Sequence, residues 1–277
     1  ALLNCLGNRN RLGIGQGTEI PAWAGDHIGQ QANVGCCQPR RAGRPPQGIQ
    51  VALANIRQDQ VLLVGDTDFG EAKAFGEFGH EPYVTCMEEH PHVVHVVKEA
   101  SEKAPFVFGG AWHTDWTFQE CPPAFTLLYG HDIPRYGGDT CFANMALAYE
   151  WLSPGMQALL ENLDAQHSPE RAYGANANHN ALLENMQIRY GQDTSNEARK
   201  HPLVTRHPET GKKILFINPV YTCGIDGLRA PEAQPLLDYL FNLAVSPAFT
   251  CRMKWRQGTL AIWDNRSTQH YAVMDYP

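Results

Sequence analysis

Residues 112–118, Trp112-His113-Thr114-Asp115-Trp116-Thr117-Phe118, place an imidazole and a carboxylate two positions apart. In an extended strand residues i and i+2 share a face, so His113 and Asp115 are expected to point the same way. Such a pair supplies two of the three ligands of a two-histidine, one-carboxylate triad, which leaves coordination positions open and suits non-haem Fe(II). The pair alone is a weak signal. With 12 His in 277 residues, chance supplies about 0.6 His-x-Asp pairs per chain. His207-Pro208-Glu209 has the same form with a glutamate, but it runs into a Pro-Glu-Thr-Gly turn at 208–211 that is expected to be exposed. His90, His92 and His95 also cluster; on a strand His92 and His95 face opposite sides, which argues against a shared metal.

Around this stretch short strands outnumber helices. Strand-like runs occur at Val61–Val64, His92–Val97, 124–130, 139–143, 202–206, 213–218, 258–263 and 270–274, with the 208–211 turn joining two of them as a hairpin. Phe69–Phe78 reads as a helix carrying Phe69, Ala72, Phe75 and Phe78 near one face. A second helix follows Ser153, a good N-cap, with Pro154 at its first position and Met156, Leu159, Leu160 and Leu163 as its apolar face. A third runs from about Pro231 to Ala244 with Leu236, Leu237, Leu240, Phe241 and Ala244 inward. There is no βαβ alternation, no G-x-G-x-x-G and no Walker motif, so a nucleotide-binding α/β fold is disfavoured. A mainly β fold, a sandwich or jelly-roll barrel with flanking helices, fits better. Residues 1–58, rich in Gly, Gln, Asn, Arg and Pro, keep neither periodicity and read as an irregular N-terminal segment.

Composition narrows the function. An ordinary 43% hydrophobic content without a repeat excludes collagen, coiled coil and bulk disorder. A net charge of −7 argues against a nucleic-acid partner, and the basic run Arg40-Arg41-Ala42-Gly43-Arg44 reads as a solvated loop. No apolar run approaches the length of a membrane span, and the opening does not look like a signal peptide. The eight cysteines contain no C-x-x-C pair, which excludes a zinc ribbon, and are expected to be reduced, mostly buried thiols of a cytoplasmic protein. A small-molecule substrate is the expected partner, with homo-oligomerisation left open.

Three further stretches give the 112–118 motif its context: Cys121-Pro122-Pro123-Ala124, Tyr136-Gly137-Gly138-Asp139-Thr140, and Trp263-Asp264-Asn265-Arg266-Ser267-Thr268-Gln269-His270-Tyr271-Ala272. Together, from about Gln60 to Pro277, they closely resemble the taurine dioxygenase and 2,4-dichlorophenoxyacetate dioxygenase (TauD/TfdA) family of Fe(II)/2-oxoglutarate oxygenases. The segment Ala146–His167 is similar to that family's barrel-flanking helices.

The resemblance implies a double-stranded β-helix (jelly-roll) core over residues 59–277, with His113, Asp115 and His270 holding Fe(II) and Thr140 helping to hold the cosubstrate 2-oxoglutarate. Dioxygen completes the set. The expected reaction hydroxylates a C–H of a small anionic molecule such as a sulfonate, sulfate ester or aryloxy acid, releasing succinate and CO2. Trp116, Phe118, Tyr83 and Phe216 are expected at the substrate pocket, with Tyr173 in a contributing segment. The family's asparagine shortly before the metal histidine is replaced by Phe108-Gly109-Gly110-Ala111, which puts taurine itself in doubt. The family arginine eleven residues after the distal histidine would fall at position 281, beyond Pro277, so the sequence reads as truncated at its C-terminus. Two alternatives stay open: a catalytically impaired binding protein of the same fold, and a zinc-dependent hydrolase using the same three ligands.

Overall fold

A computed structural model describes residues 34–35, 50–55, 76–102, 104–177, 185–191 and 198–276. Among these the chain is mostly β with few helices, and its strands form four sheets. The first sheet is built on the long strand β4 (Pro123–Asp132). Beside it run β1 (Val34–Gly35), the parallel strand β2 (Gln50–Asn55) and then β3 (Val93–Val97), parallel to β2. β12 (Leu260–Asp264) pairs antiparallel with β4, setting Trp263 opposite Thr126. The second sheet has β5 (Thr140–Asn144) at its centre, between β11 (Thr250–Met253) and β13 (Thr268–Ala272), all antiparallel. The others are β10 (Thr222–Ile225), β6 (Asp164–His167) and β7 (Arg199–Pro202), and the hairpin of β8 (Val204–Arg206) and β9 (Lys213–Leu215).

Helices are fixed by their caps. Asn144, the last residue of β5, accepts the N–H groups of Ala146 and Leu147 through Oδ1 at 3.0 Å each, starting α1 (Met145–Trp151). Ser153 caps α2 (Pro154–Leu160) as expected, its Oγ accepting from Met156 N at 3.4 Å. Only Leu160 of that helix is buried: Leu159 is half exposed and Leu163 lies beyond the helix end, so its apolar face is narrower than the spacing suggests. α3 (Glu170–Tyr173) is a single turn. α4 (Ala230–Ala244) buries Ala233, Leu237, Leu240 and Ala244 in the main core, where it packs on α1 and β10.

Several expectations need correcting. Val61–Val64 and residues 69–75 lie outside the described residues, and Gly76–Phe78 are not helical. Residues 50–55 form a strand inside the segment read as irregular. Val51-Ala52-Leu53-Ala54 is short and has no alternation, as befits a parallel strand flanked by neighbours on both sides. The run 202–206 splits into β7 and β8 at Leu203, and 213–218 ends as a strand at Leu215. Among the described residues the free thiols are not mostly buried: Cys223 is exposed, while Cys86, Cys141 and Cys251 are half-buried. Along β5 Cys141 takes the outward position between buried Thr140 and Phe142. These four are free, but Cys121 is disulfide-bonded, which overturns a uniformly reduced set. Among the described residues no helix is long and apolar enough to cross a membrane.

Candidate metal centre

His113 and His270 are direct cross-strand partners. His113 N donates to His270 O at 2.9 Å and His270 N donates to His113 O at 2.8 Å, the reciprocal pair of an antiparallel bridge. On β13, His270 sits opposite Phe142 of β5, and Phe142 shares its buried face with Thr140 two residues earlier. The second sheet thus brings the distal histidine and Thr140 together. The first sheet supplies the support for Asp115, through Thr126 of β4.

The segment around Asp115 is not a strand. The chain makes one bridge at His113 and then turns through 115–118, with Trp116 at φ 45°. A bulky residue in the left-handed region carries strain, and here that strain sits next to the candidate site. His113 and Asp115 come together as an i, i+2 pair just where the bridge gives way to the turn. Nε2 of His113 lies 3.4 Å and Nε2 of His270 3.8 Å from Oδ1 of Asp115, and all three donor atoms lie within 4.8 Å of one another.

These side chains suit a divalent cation. Nδ1 of His113 lies 2.7 Å from the Ala111 carbonyl, which can only accept, so the ring proton sits on Nδ1 and the Nε2 lone pair faces the carboxylate. Lone pairs and a carboxylate converging in a buried space repel one another unless a cation lies between them. Burial pushes the pKa of His270 down to about 3, with the neighbouring His113 adding to the effect, so its ring is neutral and ready to ligate. Burial works against ionising Asp115, yet its pKa is held below the usual carboxylate value, with the hydrogen bond from Thr126 favouring the ionised form.

A cavity of about 120 Å³ opens beside the three ligands, lined by Thr140, Trp116, Val94, Leu128, Ile133 and Trp255 among others. That is room for several water molecules or a small organic ligand. Thr140 Oγ1 accepts the Trp255 Nε1–H at 2.9 Å, which leaves the hydroxyl proton available to a ligand. Lys98 also lines the cavity, but its ammonium donates to the carbonyls of Ala104 and Phe106 and lies 3.6 Å from Glu102. Gly109, in the segment that lacks the expected asparagine, has φ +71°, and a Cβ there would meet the His113 ring at 3.3 Å.

Of the expected substrate residues only Trp116 lines the cavity. Tyr83 and Phe118 join Trp116, Tyr173 and Tyr221 in an aromatic cluster, with Tyr83 stacked on Tyr173 at 4.4 Å. Buried Glu81 caps that region, accepting from Tyr83 N and Val84 N at 2.8 Å, and burial pushes its pKa up to about 8. Phe216 stands elsewhere, against His167 and His201.

His207 is buried rather than exposed, although the turn that follows it is exposed. With Glu209 and Asp264 it forms the other group among the described residues that could hold a metal, and His90, His92 and His95 are in neither. Arg266 already occupies it, donating to both oxygens of Asp264 and to Glu209. That makes it an ion-pair network. Sequence reasoning missed Thr126, Asn265 and Trp255. Thr126 is a polar residue inside an apolar strand, Asn265 sits within the 263–272 stretch without a role of its own, and Trp255 lies outside every motif, so only contacts assign them.

A family model for "Taurine catabolism dioxygenase TauD, TfdA family" matches residues 54–277. An alkylsulfatase of Acinetobacter baylyi is 34% identical over 77% of this chain and 66% of its own length. An alpha-ketoglutarate-dependent sulfate ester dioxygenase of Pseudomonas putida is 31% identical over 83% of this chain and 76% of its own. The crystal structure of a taurine dioxygenase from Burkholderia xenovorans aligns with TM-score 0.52 and 26% identity, covering 88% of this chain and 84% of that one. The chain spans 66% of the alkylsulfatase and as little as 39% of other curated relatives.

Proposed function

The chain belongs to the TauD/TfdA dioxygenase family, and from that premise we propose that it is a non-haem Fe(II)- and 2-oxoglutarate-dependent dioxygenase. It hydroxylates a C–H bond of a small anionic molecule, of the sulfate ester, sulfonate or aryloxy acid class. One observation carries the reading: Nε2 of His113, Nε2 of His270 and Oδ1 of Asp115 converge within 4.8 Å in a buried setting. Fe(II) held there together with 2-oxoglutarate supplies the oxidative chemistry, giving succinate, CO2 and a hydroxylated product.

The chain's own residues bind, orient and exclude water. His113 and His270 each offer Nε2, and Asp115 offers one oxygen while the other is tied down. Thr140 has a hydroxyl proton free to donate to a cosubstrate oxygen, because its own oxygen is satisfied by Trp255. Val94, Leu128 and Ile133 give the cavity an apolar wall that keeps water from the reacting centre. Trp116 fronts the cavity, and Tyr83 and Phe118 brace it from the same aromatic cluster. Phe216, packed against His167 and His201, is not part of this proposed pocket.

A double-stranded β-helix core over 59–277 belongs to the same proposal, supported by the likeness to the taurine dioxygenase structure. β2 adds a strand to it from the preceding segment. A cytoplasmic location rests on the four free thiols, and the Cys121 disulfide counts against it.

Anaerobic addition of Fe(II) and then 2-oxoglutarate tests the reading. A visible metal-to-ligand charge-transfer band is expected, with succinate formed on admitting air, and both vanish in His113→Ala. Zinc-dependent hydrolysis of a sulfate ester without any such band would overturn it in favour of a hydrolase.

A further inference from the structure

A carboxylate has two equivalent oxygens, so something must decide which one of Asp115 meets the histidines. Trp263 Nε1–H donates to Asn265 Oδ1 at 3.0 Å, Asn265 Nδ2 donates to Thr126 Oγ1 at 2.6 Å, and Thr126 Oγ1 donates to Asp115 Oδ2 at 2.6 Å. The four residues are 3%, 2%, 0% and 3% exposed, so water does not compete for these groups. Strand pairing builds the chain: Trp263 is opposite Thr126, and Asn265 N donates to Ala124 O at 2.8 Å.

The direction of the chain follows from which groups can donate. An indole N–H only donates, so the amide oxygen of Asn265 must face it and the NH2 must face Thr126. The Thr126 oxygen, having accepted that bond, has a single proton left to give. Its neighbour is a carboxylate that only accepts. Reversing any link strands a buried donor, which is costly in a dry interior. Oδ2 is thereby held, and Oδ1 is left 3.4 Å from His113 and 3.8 Å from His270.

We propose that Trp263, Asn265 and Thr126 are positioning residues that present a single oxygen of Asp115 to the metal and keep the carboxylate from turning. The proposal deepens the triad reading and rests on it. It is tested by titrating the full chain with Mn(II), following free Mn(II) by electron paramagnetic resonance, alongside thermal melts of the metal-free protein. The parent should bind one Mn(II) and His113→Ala should not. Thr126→Val should bind about 10–100-fold more weakly, the usual cost of losing such outer support. Thr126→Ser, which keeps the hydroxyl, should recover most of the affinity, and Asn265→Leu should fall between. A merely structural role would lower the melting temperature of Thr126→Val and leave the affinity of the folded protein intact. Equal affinity of parent and Thr126→Val therefore overturns this proposal alone. Failure of the parent to bind overturns the triad reading and this proposal with it.

Discussion

His167 is fully buried in β6, with Nδ1 2.9 Å from Thr117 Oγ1. Burial, reinforced by neighbouring His201, pushes its pKa down to about 3 from the ordinary 6.5. Between those values the unfolded chain takes up a proton that the native state refuses, so this group's contribution to stability is present above 6.5 and is lost as pH falls towards 3. The difference in urea midpoint between the parent and His167→Gln should therefore shrink steadily as pH drops below 6.5; parallel curves would contradict it. At this scale the sequence was informative where chemistry is local. His113 and Asp115 stand out as an i, i+2 pair, and Thr140 follows a Gly-Gly turn. Thr126 and Asn265 were illegible because their meaning lies in contacts to residues 11 and 139 positions away.

At the scale of elements, periodicity and caps served helices better than strands. Ser153 and Pro154 located the start of α2, and the apolar spacing of 231–244 located α4 to within a residue. β2 escaped because a short parallel strand flanked on both sides has no alternation to read, and the turn at Asp115–Phe118 has no local signal beyond the His113 and Asp115 pair. α4 separates burial from mere apolarity: Leu240 is fully buried and Tyr239 half exposed. Leu240→Ala should cost about 2–5 kcal/mol, and Tyr239→Ala no more than about 0.5 kcal/mol. Chemical denaturation reads both, and similar losses for the two would contradict the burial assigned to this face.

For the whole molecule, two sheets matter because each supplies one part of a single site. The β11–β5–β13 sheet carries His270 and Thr140, and the β4–β12 pair carries Thr126 and Trp263, with Asn265 just past the end of β12, behind Asp115. The His113–His270 bridge ties the turn segment to β13. That arrangement could be expected from family resemblance but not from local pattern, since His113 and His270 are far apart in sequence and meet only through pairing of distant strands. The central claim is that these three side chains, and not the Arg266-filled group of His207, Glu209 and Asp264, hold the metal. Anomalous diffraction from crystals grown with Mn(II) tests it most directly. The account predicts one strong peak bonded to His113 Nε2, Asp115 Oδ1 and His270 Nε2; a peak at the second group with none at the first would contradict it.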